Sequence, residues 1–178
     1  MEEIYTNSEK IIIVRKGVKS DAAEIIKYLN IIGGESDFLT FGAGQFGKSI
    51  KQEEEFIESA LNKENALFLI AEIDNKIVGN LNLSGGLKER TAHVGEFGVS
   101  VLKEYWGYGV GQELIKYLIN WSNTTKIIKK INLRVRTDNI RGIRLYKKFG
   151  FLEEGIVKRD FLINGNFYDS LLMGLLIN

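Results

Sequence analysis

Two glycine-rich strings hold the residue types and spacings best suited to chemistry. Residues 42–49, GAGQFGKS, fit G-x-x-x-x-G-K-[ST] letter for letter, the pattern in which backbone N–H groups and a lysine cradle nucleotide phosphates. Residues 104–113, EYWGYGVGQE, place glycines at 107, 109 and 111. Either string can open a helix, where N–H groups and the helix dipole favour a phosphate. The first string lacks the company a nucleotidase needs. The segment before it, SDFLTF, is short and polar-flanked rather than a buried strand. The acid that would hold a metal, Asp74, reads better as half of an Asp74-Asn75 hairpin turn. In the plainer reading Lys48 and Ser49 only open a helix. The second string has a strand before it and an amphipathic helix after it. Its G-x-G-x-G spacing is not the dinucleotide fingerprint, and no acid ends a strand about 20 residues later. Alternating glycines let a backbone approach a ligand and aim successive N–H groups at it, which suits a pyrophosphate. A turn that merely packs strand on helix is the alternative.

Composition removes several other chemistries. With no cysteine in the 178 residues, disulfides, thiolate metal sites and a cysteine nucleophile are excluded. A single histidine, His93, makes no metal cluster, so no metal is expected. The 24 basic and 23 acidic residues leave a net charge of +1, which offers no electrostatic case for nucleic acid. The start, MEEIYTNSEK, is polar, and no apolar run has the length of a membrane span, so no membrane partner is expected and the cytoplasm is the expected location. Hydrophobic content of 44% and charged content of 26% are ordinary for a globular chain. No linker or repeat divides the sequence, so one domain over 1–178 is expected.

Elements to position these residues follow from periodicity. KIIIVRKG (10–17) reads as a strand. SDAAEIIKYLN (20–30) reads as a helix capped by Ser20, and 33–49 as a loop. IKQEEEFIESALNK (50–63) reads as a second helix with Phe56, Ile57 and Leu61 inward. Residues 66–85 make two strands about Asp74-Asn75, and 90–102 another. A helix over 109–122 lays Val110, Leu114, Leu118 and Trp121 on one face. KINLRVRT (130–137) alternates apolar and basic residues as a strand, and 139–150 is a short helix stopped by Gly150. Residues 161–177 form a hairpin about Asn164-Gly165. The sum is an α/β (α+β) chain whose mixed, mostly antiparallel sheet of about seven strands is flanked by about four helices.

The stretch GVSVLKEYWGYGVGQELIKYLI followed by LRVRTDNIRGIRLYKKFGFLEEG resembles the GCN5-related N-acetyltransferases (GNAT). That family writes its acetyl-CoA loop [QR]-x-x-G-x-[GA] and its next element N-x-x-[AG]-x-x-L-Y-x-x-x-G-F. The second is matched by Asn139, Gly142, Leu145, Tyr146, Gly150 and Phe151. The paired motifs span about residues 95–155. The YWGxG form and the NGNFYDSLLMGL ending look like the ribosomal-protein and small-amine branch. The chain departs from the pattern at Glu104, where the family has Gln or Arg, and at Trp106, where many members have arginine.

The resemblance implies the GNAT fold and acetyl transfer from acetyl-CoA to a primary amine. Trp106, Gly107, Tyr108, Gly109, Val110, Gly111 and Gln112 would hold the pyrophosphate. Lys103, Lys147 and Lys148 are candidates for added positive charge. Val99 and Val101 would pair with the pantetheine arm, and the Val99 N–H would polarise the acetyl carbonyl. Asn139 and Gly142 would lie at the cofactor, with Asn139 near the sulfur. Tyr146 matches the family's acid, for a neutral phenol can donate to a departing thiolate; packing under the sheet is its plainer reading. Glu96 is the base candidate, on a strand face with Val94, Gly98 and Ser100, with His93, a water or plain solvent exposure as alternatives. Lacking cysteine, the chain would transfer directly in a ternary complex. The acceptor, a small-molecule amine or a peptide N-terminus, would lie between 33–50 and 161–170, with Glu35, Asp37 and Asp169 available to attract it. A homodimer through the apolar strand at 171–177 is compatible with the resemblance. A non-catalytic acyl-CoA-binding module, suggested by Glu104, is the competing function.

Overall fold

Tight turns and alternating apolar residues build one mixed sheet. The computed structural model describes the strand at 2–5 and residues 10–178; Met1 and 6–9, part of the polar start, lie outside the described residues. The strands are β1 (Glu2–Tyr5), β2 (Ile11–Lys16), β3 (Ala66–Ile73), β4 (Lys76–Gly85), β5 (Val94–Val101), β6 (Lys130–Arg136), β7 (Leu152–Ile163) and β8 (Asn166–Leu176). Their order across the sheet is β1-β2-β3-β4-β5-β6-β8-β7, and among the described strands only β5 and β6 pair in parallel. The seven expected strands are joined by β1, an addition at the edge. Four helices accompany them: α1 (Ala22–Glu35), α2 (Ile50–Leu61), α3 (Val110–Thr125) and α4 (Ile140–Lys148).

Both expected hairpin turns form. Asp74 and Asn75 take φ of 52° and 61°, and Asn164 and Gly165 take 50° and 79°, the consecutive left-handed pair of a type I′ turn. β3 is buried along Leu67–Ala71, and Val110, Leu114, Ile115 and Leu118 press α3 onto the same core. β7 starts at Leu152, well before the hairpin expected at 161, and runs through a bulge in which Arg159 has φ 53°.

α1 does not stop near residue 30. It continues through Gly33 and Gly34 to Glu35. Gly33 lies against the Gly42 carbonyl, which a Cβ would approach to 2.7 Å, so this glycine permits a close contact rather than ending a helix. Ser20 is not its cap. A 3-10 turn at Lys19–Asp21 precedes α1, and the Asp21 carboxylate accepts from the Val18 N–H at 2.7 Å and from both Arg15 terminal nitrogens at 2.8 and 2.9 Å.

GAGQFGKS is consumed by folding. Ser49 Oγ accepts from the Gln52 N–H at 3.2 Å, and Gln52 Oε1 accepts from the Ser49 N–H at 2.8 Å, a capping box that starts α2. Lys48 Nζ donates to Glu53 Oε2 at 3.0 Å and sits 3.9 Å above the Phe56 ring. Glu53 is 1% exposed, whereas Leu61, expected inside, faces solvent. The lysine and serine a nucleotide would need are thus already engaged.

Lys48→Ala leaves the buried Glu53 carboxylate without its cation. Because Lys48 is partly exposed, urea unfolding should show a loss of about 2 kcal/mol, at or below the range for a buried pair. The double variant Lys48→Met, Glu53→Leu should recover most of it.

Candidate active site

The sheet opens in its middle. β5 pairs with β6 only where Val94, Gly95 and Glu96 face Lys130, Ile131 and Asn132. Beyond that point β5 stays on β4 as far as Val101, and β6 stays on β8 as far as Arg136. The His93 carbonyl accepts from Lys129 and Lys130 on the β6 side, and the Val94 carbonyl accepts from Gly86 on the β4 side. Alternation therefore turns the backbone groups of Phe97, Val99 and Val101 toward the gap. The Val101 carbonyl accepts from the Trp106 indole N–H at 2.7 Å. The N–H and C=O of Val99 face a cleft of about 1100 Å³ that both halves of the sheet line.

One end of the cleft is the start of α3. Gly107 and Gly109 both have φ 94°, and a Cβ on either would meet nothing within 4 Å. Glycine is needed there for backbone conformation, not for room. Gly109 is the N-cap and has no side chain to offer, so the first N–H groups, of Val110, Gly111 and Gln112, have no intrahelical acceptor. The Val110 side chain is buried in the core, and Gly111 lies beside Leu145 of α4. Tyr108 packs on Tyr105, ring centroids 6.0 Å apart, and its side chain does not line the cleft.

Positive charge reaches this end from α4. Glu104 faces solvent and pairs with Lys76 at 3.4 Å, so no carboxylate opposes a phosphate there. Lys103 does not line the cleft and Lys147 pairs with Glu153 at 2.7 Å, which removes both as expected phosphate partners. The third candidate, Lys148, does line it, joined by Arg141 and Arg144, which were not among the expected residues; Arg141, Arg144 and Lys148 stand at i, i+3 and i+7 on α4. Lys148 Nζ donates to Gln112 Oε1 at 2.7 Å, tying α4 to α3, and the Arg141 guanidinium lies 5.2 Å from the Trp106 ring centroid. The spacing was visible in NIRGIRLYKK. That this face of α4 meets the start of α3 was not.

At the gap itself, Tyr146 lines the cleft among apolar rings, 6.0 Å from Phe97 and 6.1 Å from Phe151. Burial pushes its phenol up to about 12. Asn139 Oδ1 accepts from the Gly142 N–H at 2.9 Å, which caps α4 and explains the N-x-x-G spacing physically. The Asn139 amide N–H groups remain for the cleft it lines. On the opposite face of β5, Glu96 is exposed, cross-strand to Ser84 and Asn132. It shares that face with Ser100, whose hydroxyl meets the Tyr28 hydroxyl at 2.9 Å. Among the described residues Glu96 is the one carboxylate lining the cleft, and His93 does not line it.

Phe38, Leu39, Thr40 and Phe41 from the α1–α2 loop and Phe161 from β7 wall this second face. The loop is anchored by Arg136, a residue the sequence presented only as one basic position of β6. Arg136 is 5% exposed. It donates to the Asp37 carbonyl at 2.8 Å and to Asp138 at 2.6 and 3.0 Å, and stacks 3.8 Å from the Tyr168 ring centroid. Of the three acids expected to attract the acceptor, two carboxylates are engaged elsewhere. Glu35 accepts from the Lys103 N–H at 2.8 Å, and Asp37 contributes its backbone carbonyl. Asp169 accepts from Lys158 Nζ at 2.8 Å and the Arg159 N–H at 2.9 Å, which hold its carboxyl below the usual range. None of the three lines the cleft.

The family profile described as "Acetyltransferase (GNAT) family" matches residues 37–151. An L-amino acid N-acetyltransferase of Escherichia coli is 34% identical over 105 residues, 59% of this chain and 65% of that protein. A spermidine N(1)-acetyltransferase of Vibrio cholerae is 35% identical over 81 residues, 46% of this chain and 47% of that one. The match thus spans about two thirds and about half of these relatives' lengths. The crystal structure of a GNAT-family acetyltransferase from Streptococcus pneumoniae superposes with a TM-score of 0.91 at 31% identity, covering 93% of this chain and 99% of that one.

If α4 supplies the positive charge, the double variant Arg141→Ala, Arg144→Ala should weaken CoA binding by about tenfold or more, the scale of a charged hydrogen bond. It should also flatten the salt dependence of that binding. Titration calorimetry at two salt concentrations reads both effects. Unchanged affinity and salt slope would assign the charge to another element.

Proposed function

This chain belongs to the acetyltransferase (GNAT) family, and from that premise we propose that it is an N-acetyltransferase. In this reading it moves an acetyl group from acetyl-CoA to a primary amine, in the cytoplasm and within a single catalytic domain. The observation that carries the reading is the parted β5–β6 pair. Unpaired strand backbone at Val99 stands beside an uncapped helix start, with Tyr146 of α4 against one face of β5 and Glu96 on the other. These residues fit acetyl-CoA. The N–H groups of Val110, Gly111 and Gln112, with Arg141, Arg144 and Lys148, suit its phosphates. The backbone of Val99 suits the amide-bearing arm.

Acetyl-CoA supplies an acyl carbon activated as a thioester. Each protein group then has a task. The Val99 N–H donates to the carbonyl oxygen as negative charge develops on it. Glu96, directly or through a water, takes the proton the attacking amine loses as its nitrogen–carbon bond forms. Tyr146 gives its phenol proton to the sulfur as the carbon–sulfur bond breaks. With its pKa raised to about 12 by burial, the phenol stays protonated throughout the neutral range. The absence of cysteine leaves no acetyl-cysteine step, so transfer is direct. The feature that favoured a non-catalytic acyl-CoA-binding module, Glu104, points away from the cleft. Release of free CoA thiol with an amine panel separates the two, since a binding module releases none.

Tyr146→Phe should lower kcat by roughly 10²-fold with little change in acetyl-CoA affinity, the usual worth of a positioned acid. The wild-type rate should hold beyond about pH 10, the ordinary phenol value, because burial protects the proton. An unchanged kcat where chemistry limits turnover would reduce Tyr146 to packing.

Glu96→Gln keeps size and hydrogen bonding but takes no proton. The variant should be about 10²-fold slower in kcat/KM. The measurement uses an acceptor of low pKa, already neutral at the assay pH, so that the amine's own protonation does not intrude. A variant with the wild-type rate would eliminate Glu96 as the base.

A further inference from the structure

The relatives' names point to acceptors of opposite character, an amino acid and a polyamine, and the charges of the cleft discriminate between them. A polyamine carries several ammonium groups along one chain and calls for several carboxylates. Among the described residues the acceptor face provides one, Glu96: Glu35, Asp37 and Asp169 do not line the cleft, and the carboxylates of Glu35 and Asp169 accept from the Lys103 and Arg159 backbone N–H groups. What it provides beside Glu96 is a guanidinium. Asn132 is the registered partner of Glu96, and Arg134 is the next residue of β6 on the same face, about 7 Å further along the strand. Arg134 lines the cleft.

Arg134 retains donors for a ligand. Among the described residues only its Nη1 is engaged, by Asp160 Oδ1 at 3.1 Å and Oδ2 at 3.3 Å, and Asp160 does not line the cleft. The Nε and Nη2 edge is left for the two parallel hydrogen bonds that a carboxylate accepts. Its neighbour Arg136 differs in this respect, for Asp138, the Asp37 carbonyl and Tyr168 occupy that side chain. The aromatic wall of Phe38, Phe41 and Phe161 adds apolar surface for a side chain.

Resting on the N-acetyltransferase reading above, we propose that the acceptor is an amine bearing its own carboxylate, an amino acid with an apolar side chain. Arg134 takes the carboxylate, Glu96 faces the amine, and the α1–α2 loop covers the side chain. A second ammonium, as in a polyamine, would meet Arg134 as a like charge.

The test compares acetyl transfer to leucine and phenylalanine, to their amides, to the amines without the carboxyl group, and to spermidine. kcat/KM for each acid should exceed that for its amide by about tenfold or more, the scale of a charged hydrogen bond, mainly through KM. Arg134→Gln should bring that ratio to about one, and Arg134→Lys should restore part of it. Transfer to amides or spermidine as good as to the acids, or a ratio unmoved by Arg134→Gln, would overturn the proposal while leaving the enzyme an acetyltransferase. Binding of acetyl-CoA with transfer to no amine at all would instead overturn the acetyltransferase reading, and this proposal with it.

Discussion

Three residues of parallel pairing, followed by separation, set the terms for everything else in this protein. A sheet normally satisfies every backbone group of its inner strands, and a buried unpaired group costs about 1–3 kcal/mol. β5 and β6 leave theirs unpaired in the middle of the sheet from Phe97 and Leu133 onward. Each strand end is secured by its own ties. Leu102 donates to the Val78 carbonyl and Trp106 to the Val101 carbonyl, which fix the end of β5. Arg136 holds the α1–α2 loop, and the Thr137 N–H donates to the Asp169 carbonyl, which fix the end of β6. The gap is thus held open by contacts outside it, and its backbone groups remain for a ligand.

The two faces of the opening divide the chemistry. The face toward α3 and α4 gathers helix N–H groups and three basic side chains, matched to phosphate. The other gathers one carboxylate, one partly engaged guanidinium and an aromatic wall. A single strand serves both. The side chain of Phe97 packs toward Tyr146, and Glu96 projects the opposite way. In the proposed mechanism the acid and the base would therefore approach the reacting carbon from two sides without neutralising each other.

Charge in this cleft is reassigned among elements. Trp106 stands where many family members have arginine, and its indole lies under the Arg141 guanidinium of α4. The cation comes from the next helix and the loop residue becomes its platform and a clasp on β5. Glu104, the other departure from the family pattern, is paired with Lys76 at the surface.

What the sequence determined by itself is the chemistry written in short range. The hairpins at Asp74-Asn75 and Asn164-Gly165, the Ser49–Gln52 box and the Asn139–Gly142 cap each join residues one to three apart, so residue type and spacing suffice to specify them. The glycines at 107 and 109 are legible for the same reason, since a positive φ is a property of one residue. Tyr146 and Glu96 were singled out through the family resemblance, and the structure places both along the cleft. Only the tertiary structure decided which charges meet. Glu35 reaches Lys103 across 68 positions, Arg136 reaches Asp37 across 99, and Lys148 reaches Gln112 across 36. Candidate acids became anchors and an unremarked arginine became the hinge-pin of the loop, because a side chain's partner is set by the strand order and register. Those depend on the summed burial of the whole core, which no local pattern encodes.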